Sequence, residues 1–93
     1  MKPVQVSPRA YSDIRYLERW LAERAPNAAT KVGPALFAAF KSLEHLPERG
    51  RQAVGFRGRE LFVPFGGRGH IIRYRVETDR VIIAHVLHSL ERR

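Results

Sequence analysis

Residues 80–88 read Arg80-Val81-Ile82-Ile83-Ala84-His85-Val86-Leu87-His88. The run is nearly continuous in apolar residues and short. A strand with one wet face would alternate. A run that is apolar on both faces reads as a central strand, shielded on both sides over much of its length. Thr78-Asp79 precedes it and can form a tight turn.

Upstream of that turn the period is two. Between His70 and Glu77, Ile72, Tyr74 and Val76 fall on one face, with Arg73 and Arg75 on the other. Between Glu60 and Phe65, Leu61, Val63 and Phe65 share a face. Gly66-Gly67-Arg68-Gly69 supplies a permissive turn between the two runs. The second half is therefore expected to be an antiparallel meander.

The first half has the helical period. Val4-Gln5-Val6 reads as a short first strand. Ser7 is a preferred N-cap and Pro8 suits the first helical turn. Ala10, Ile14, Leu17 and Leu21 mark a buried stripe, and Pro26 stops that helix at about Arg24. Asp13, Arg15, Glu18, Arg19 and Glu23 lie off the stripe and are expected in solvent. Asn27 is the expected cap of a second helix carrying Val32, Leu36, Phe40 and Leu43, closed by Pro47. Gly33-Pro34 conflicts with that helix and predicts a kink or a late start. Glu48-Arg49-Gly50-Arg51 reads as loop. The result is one α+β domain over residues 1–93, in the order β-α-α-β-β-β. A helical hairpin is expected to pack on a mainly antiparallel four-stranded sheet.

The 93 residues bound the chain to one domain with one core, and 44% hydrophobic content supports a packed globule. There is no cysteine, which removes disulfides and thiolate metal sites. No apolar run approaches bilayer length, and residues 1–6 do not resemble a signal peptide, so a cytoplasmic protein is expected. Lys and Arg number 17 against 9 Asp and Glu, a formal charge of +8 that attracts polyanions or an acidic protein. Arginine suits bidentate binding of carboxylate or phosphate.

Chemistry is harder to place. The histidines at 45, 70, 85 and 88 lack the helical i, i+4 pair of a zinc protease, and no cofactor is expected. His85 and His88 should point to opposite faces of one strand. The glycine cluster lacks the ending of a phosphate loop. Cofactor-free RNA cleavage needs a base, an acid and fixed cations. Arg57, Arg59, Arg73, Arg75, His85 and His88 are the candidates, with Arg73, Arg75 and His88 foremost. The competing reading makes the arginines a partner-binding sheet face.

The chain resembles the RelE/ParE family of toxins from toxin–antitoxin pairs. The resemblance rests on Val4-Gln5-Val6-Ser7-Pro8-Arg9-Ala10 and on Leu43-Glu44-His45-Leu46-Pro47-Glu48-Arg49-Gly50-Arg51. It continues in Arg59-Glu60-Leu61, Ile71-Ile72-Arg73-Tyr74-Arg75-Val76, Asp79-Arg80-Val81-Ile82-Ile83 and Val86-Leu87-His88. It implies the family's β-α-α-β-β-β fold and a cognate ParD-like antitoxin held in a hetero-oligomer. Toxins of the ParE branch act on DNA gyrase, and RelE-type toxins cut mRNA on the ribosome. The nuclease branch has basic residues where Leu61-Phe62-Val63-Pro64-Phe65 and Ile71 stand here, and Val86-Leu87-His88 is closer to the ParE-type ending. The resemblance thus favours a gyrase inhibitor with no active site of its own. Arg57, Arg59, Arg73, Arg75, His88, Glu91, Arg92 and Arg93 are the expected target and antitoxin surface, with Arg73 and Arg75 exposed.

Overall fold

A computed structural model describes residues 1–89. Its elements are β1 (Val4–Val6), α1 (Pro8–Arg24), α2 (Pro26–Ser42), β2 (Arg51–Gln52), β3 (Arg59–Phe65), β4 (Arg68–Val76) and β5 (Val81–His88). The strands form one sheet in the order β1-β5-β4-β3-β2. β1 runs parallel to β5, and the other neighbours are antiparallel. The fold class stands as read, with five strands where four were expected. The addition is β2, which pairs Arg51 with Glu60 and Gln52 with Arg59. A ladder this short has no period of its own, so those residues read as loop. The apolar run of β5 lies between β1 and β4, an interior position as expected.

The entry to α1 is fixed locally. Ser7 is extended (φ −68°, ψ 158°), and its Oγ accepts a hydrogen bond from the Ala10 amide at 3.0 Å. The same hydroxyl donates to the Ala84 carbonyl at 3.2 Å, tying the helix start to β5. Ala10, Ile14, Leu17 and Leu21 are buried, as their spacing requires.

The join between the helices differs from expectation. The N-cap of α2 is Ala25, with no side-chain cap bond, and Asn27 lies inside the helix. Proline disfavours helical geometry in the residue before it and is itself well placed at a first helical position. Pro26 therefore ends one helix and starts the next. Nor does α2 start late, since it runs through Pro34 to Ser42. Proline has no amide hydrogen, so the Thr30 carbonyl loses its usual partner. Both residues are exposed, and water can take that place. Gly33 is buried, and a Cβ there would lie 3.2 Å from the Glu18 carboxylate. A side chain there would need the Glu18 carboxylate to shift by a few tenths of an ångström. The helix ends at Ser42, short of Pro47, in tighter turns from the Leu43 amide to Phe40 and from the Glu44 amide to Lys41. Pro34→Ala restores a backbone donor at an exposed site. It is expected to raise stability by about 1–2 kcal/mol, after the freer unfolded chain is allowed for. Thermal melts check this, and a lowered Tm would count against a helix that is regular on both sides of the proline.

The core joins both layers: Leu17, Leu36, Leu43, Ile72, Tyr74, Val81, Ile83 and Val86 are at most 2% exposed. The register of β5 slips once. Ile83 stands opposite Tyr74 but His85 stands opposite Arg73, leaving Ala84 as the extra residue of a bulge. The slip turns the helix-facing positions from Val81 and Ile83 to Val86 and His88. Gly66 takes φ 62° in the β3–β4 turn, which a side chain would make costly.

Candidate functional site

On the sheet face away from the helices, Glu60 is 9% exposed and lies between two arginines. Its Oε2 accepts from Arg73 Nε at 2.8 Å, and its Oε1 is 3.5 Å from Arg51 Nη2. Arg73 keeps only 21% of its side chain exposed, and its guanidinium sits 5.8 Å from the Phe56 ring centre. Arg73 is thus an ion-paired, half-buried group, where free exposure was expected. Arg75 is half-buried too, opposite Ile82. Arg59 donates to the Gly50 carbonyl at 2.7 Å, holding the chain before β2. Arg57 is exposed. Glu91, Arg92 and Arg93 lie outside the described residues.

His88 belongs to the other face. It pairs across the strands with His70, and its ring is 5.5 Å from that of Trp20 on α1. His85 pairs with Arg73, and its ring is 5.9 Å from Phe56. The two histidines are on opposite faces, as their odd spacing implied. The trio Arg73, Arg75 and His88 is therefore divided between the faces of the sheet.

Three polar residues outside the sequence-derived set organise the site. The first is Asp13, expected in solvent and found 9% exposed. Beyond Val6 the margin of β5 has no strand partner, and α1 covers it. Asp13 Oδ2 accepts the Val86 amide at 2.9 Å, while Oδ1 accepts Arg9 Nε at 3.1 Å. His85 Nδ1 is 4.0 Å from the same carboxylate. Asp13 serves as a substitute strand partner. Its helical phase, between buried Ala10 and Leu17, was the only signal in the sequence.

The second is Tyr74. It is fully buried, and its hydroxyl accepts the Gly50 amide at 2.9 Å and donates to the Pro47 carbonyl at 2.8 Å. One side chain of the central strand thus fastens the segment 47–50. Burial raises the phenol's pKa above its ordinary value, against smaller opposing effects of the Gly50 hydrogen bond and of Arg59 and Arg49. The folded state therefore holds this proton more tightly than the unfolded chain. Its contribution is complete below about pH 10 and is lost as pH rises through the raised folded value. Tyr74→Phe is expected to cost about 1–3 kcal/mol, because the Gly50 amide is left without its acceptor. The variant should also flatten the alkaline fall in stability. Urea titrations at pH 8 and above pH 10 test both points, and an unchanged alkaline slope would remove Tyr74 as its source.

The third is Glu60, the hub of the arginine pairs. Beside it a cavity of about 500 Å³ is lined by Arg49, Gly50, Arg51, Glu60, Leu61, Phe62 and Ile71. On the outer side of the helices Tyr11 and Phe37 are 44% and 43% exposed, with ring centres 6.4 Å apart. Aromatic side chains exposed side by side can serve as anchors in a protein contact. No helix among the described residues is long and apolar enough to cross a membrane.

The arrangement defines a small basic scaffold that presents a cationic sheet face and an aromatic helix face. Its fold is that of a solved structure titled "Chromosomal ParDE TA system from P. aeruginosa", with a TM-score of 0.77 at 15% identity, covering 95% of this chain and 96% of that one. Residues 4–93 match the family described as "ParE toxin of type II toxin-antitoxin system, parDE". The chain is 42% identical over 93 residues to Toxin RelE3 of Caulobacter vibrioides, covering 100% of both chains. It is 46% identical over 90 residues to Toxin RelE1 of the same organism, covering 97% of this chain and 96% of the relative. The chain belongs to the ParE toxin family of type II toxin–antitoxin systems.

Proposed function

We propose that this toxin arrests growth by binding DNA gyrase, and that a cognate ParD-like antitoxin silences it within a hetero-oligomer. The observation that carries the reading is the division of its basic groups. Arg73 is neutralised by Glu60 and Arg59 is engaged with backbone, while His88 lies on the opposite face. Stabilising a phosphorane needs several cations and a proton donor aimed at one point. The groups here fit a surface that recognises a protein by shape and charge. On this reading the toxin acts in the cytoplasm, where gyrase works. The antitoxin would set apolar anchors on the helices and carboxylates against the arginines.

The relatives' names, Toxin RelE3 and Toxin RelE1, favour a second reading, ribosome-dependent mRNA cleavage. Two assays in parallel separate them. Purified toxin is expected to inhibit gyrase supercoiling of relaxed plasmid, and added antitoxin should relieve the inhibition. Cellular transcripts should stay intact during arrest. Gyrase fully active under excess toxin, with mRNA cut in a manner abolished by Arg73→Ala, would establish the nuclease instead.

A further inference from the structure

On the helix side of the sheet, a pocket of about 340 Å³ opens between the β3–β4 turn and the end of α1. Trp20, Ala28, Phe65 and His88 help to wall it, and Arg24 and Arg68 stand at its rim. Among the described residues, none that lines it is acidic. Both arginines are exposed, and the exposed contact of Arg24 with Glu23, at 3.6 Å, is a weak pairing. The size admits a bulky side chain and excludes a helix. The walls are largely apolar, so the occupant carries an apolar group, and the rim calls for negative charge beside it. Trp20 does not offer an open face to a nucleobase. The Arg24 guanidinium lies 4.2 Å from its ring centre, and His88 packs against the ring at 5.5 Å. These features favour a protein segment over a nucleic acid.

We propose that this pocket anchors an apolar side chain of the antitoxin, from a segment whose neighbouring carboxylates meet Arg24 and Arg68. The inference rests on the toxin–antitoxin reading and adds the location and chemistry of one anchor. A preformed pocket filled by one side chain is where a wrapping segment concentrates its binding energy. The site is also apart from the Glu60–Arg73 face.

Gly67 gives access to a test that spares the fold. A Cβ added there meets nothing within 4 Å, and its φ lies outside the left-handed region. Gly67→Glu puts a carboxylate at the pocket mouth, and Gly67→Lys adds similar bulk with the opposite charge. The probe is the purified cognate antitoxin, and Trp20, the chain's only tryptophan, is the reporter. Binding should shift Trp20 emission to shorter wavelength, once the antitoxin's own emission is subtracted. Gly67→Glu should weaken binding at least tenfold, and Gly67→Lys by much less, with thermal melts of both variants unchanged. An unaltered Trp20 spectrum in the complex, or wild-type affinity for Gly67→Glu, would overturn the anchor while leaving the toxin–antitoxin reading intact. Trp20 quenching by single-stranded oligonucleotide but not by antitoxin would also overturn it. Failure of the wild-type toxin to bind antitoxin at all would instead reject the reading beneath it.

Discussion

Asp13→Ala is expected to destabilise the toxin by about 2–4 kcal/mol, a large share of the stability of a domain this small. The carboxylate is 9% exposed and provides the acceptor for the buried Val86 amide. Alanine leaves that amide without its carboxylate acceptor, and it releases Arg9. An unsatisfied buried donor is costly, and the bond lost here is to a charged group. Asp13→Asn keeps a carbonyl oxygen at the site and should recover about half of the loss. Urea unfolding gives the energies, and hydrogen exchange at Val86 locates the effect. A penalty below about 0.5 kcal/mol with Val86 still protected would show that the amide has another acceptor.

The second large effect is expected at Leu36. The side chain is 0% exposed and sits on α2 within the shared core. Removing it to alanine should cost about 3–5 kcal/mol, the upper part of the range for buried leucine. The reason for the upper part is the helix itself. With Gly33 and Pro34 inside it, α2 has poor intrinsic propensity, and packing against α1 and the sheet holds it. Loss of packing therefore also loosens the helix. Combining Leu36→Ala with Pro34→Ala tests the coupling by a double-mutant cycle. If the helix depends on packing, the leucine change should be less damaging in the Pro34→Ala background. Strict additivity would show that the two act separately.

Much of the architecture was legible in sequence because it is written in local periods. The alternation at Leu61, Val63 and Phe65 and the helical stripe at Ala10, Ile14, Leu17 and Leu21 each report the side that meets the core. Ser7 and Pro26 mark helix boundaries by chemistry that acts within a few residues. The errors arose where two local signals competed. Asn27 is a good cap, but Pro26 is already a good first residue, and geometry gave the earlier start. At Gly33-Pro34 the helical pattern on both sides prevailed, as expected of one helix, and burial of Val32, Leu36, Ala39 and Phe40 holds it; only the late start was not found.

The site was less legible, because its arginines could be counted but not paired. Arg73 and Glu60 are neighbours only through the β3–β4 register, and Tyr74 reaches Pro47 across 27 positions. The sequence by itself determined the layers, the order of every element but the two-residue β2, the cationic character and the family resemblance. Each follows from residue type and short spacing. Tertiary structure alone decided which charges are neutralised and which polar groups are buried. It set His88 beside Trp20 and Asp13 against Val86, 73 positions away. Hydrogen bonds and ion pairs depend on atoms meeting within a few ångströms, and only the folded chain fixes such distances between remote residues.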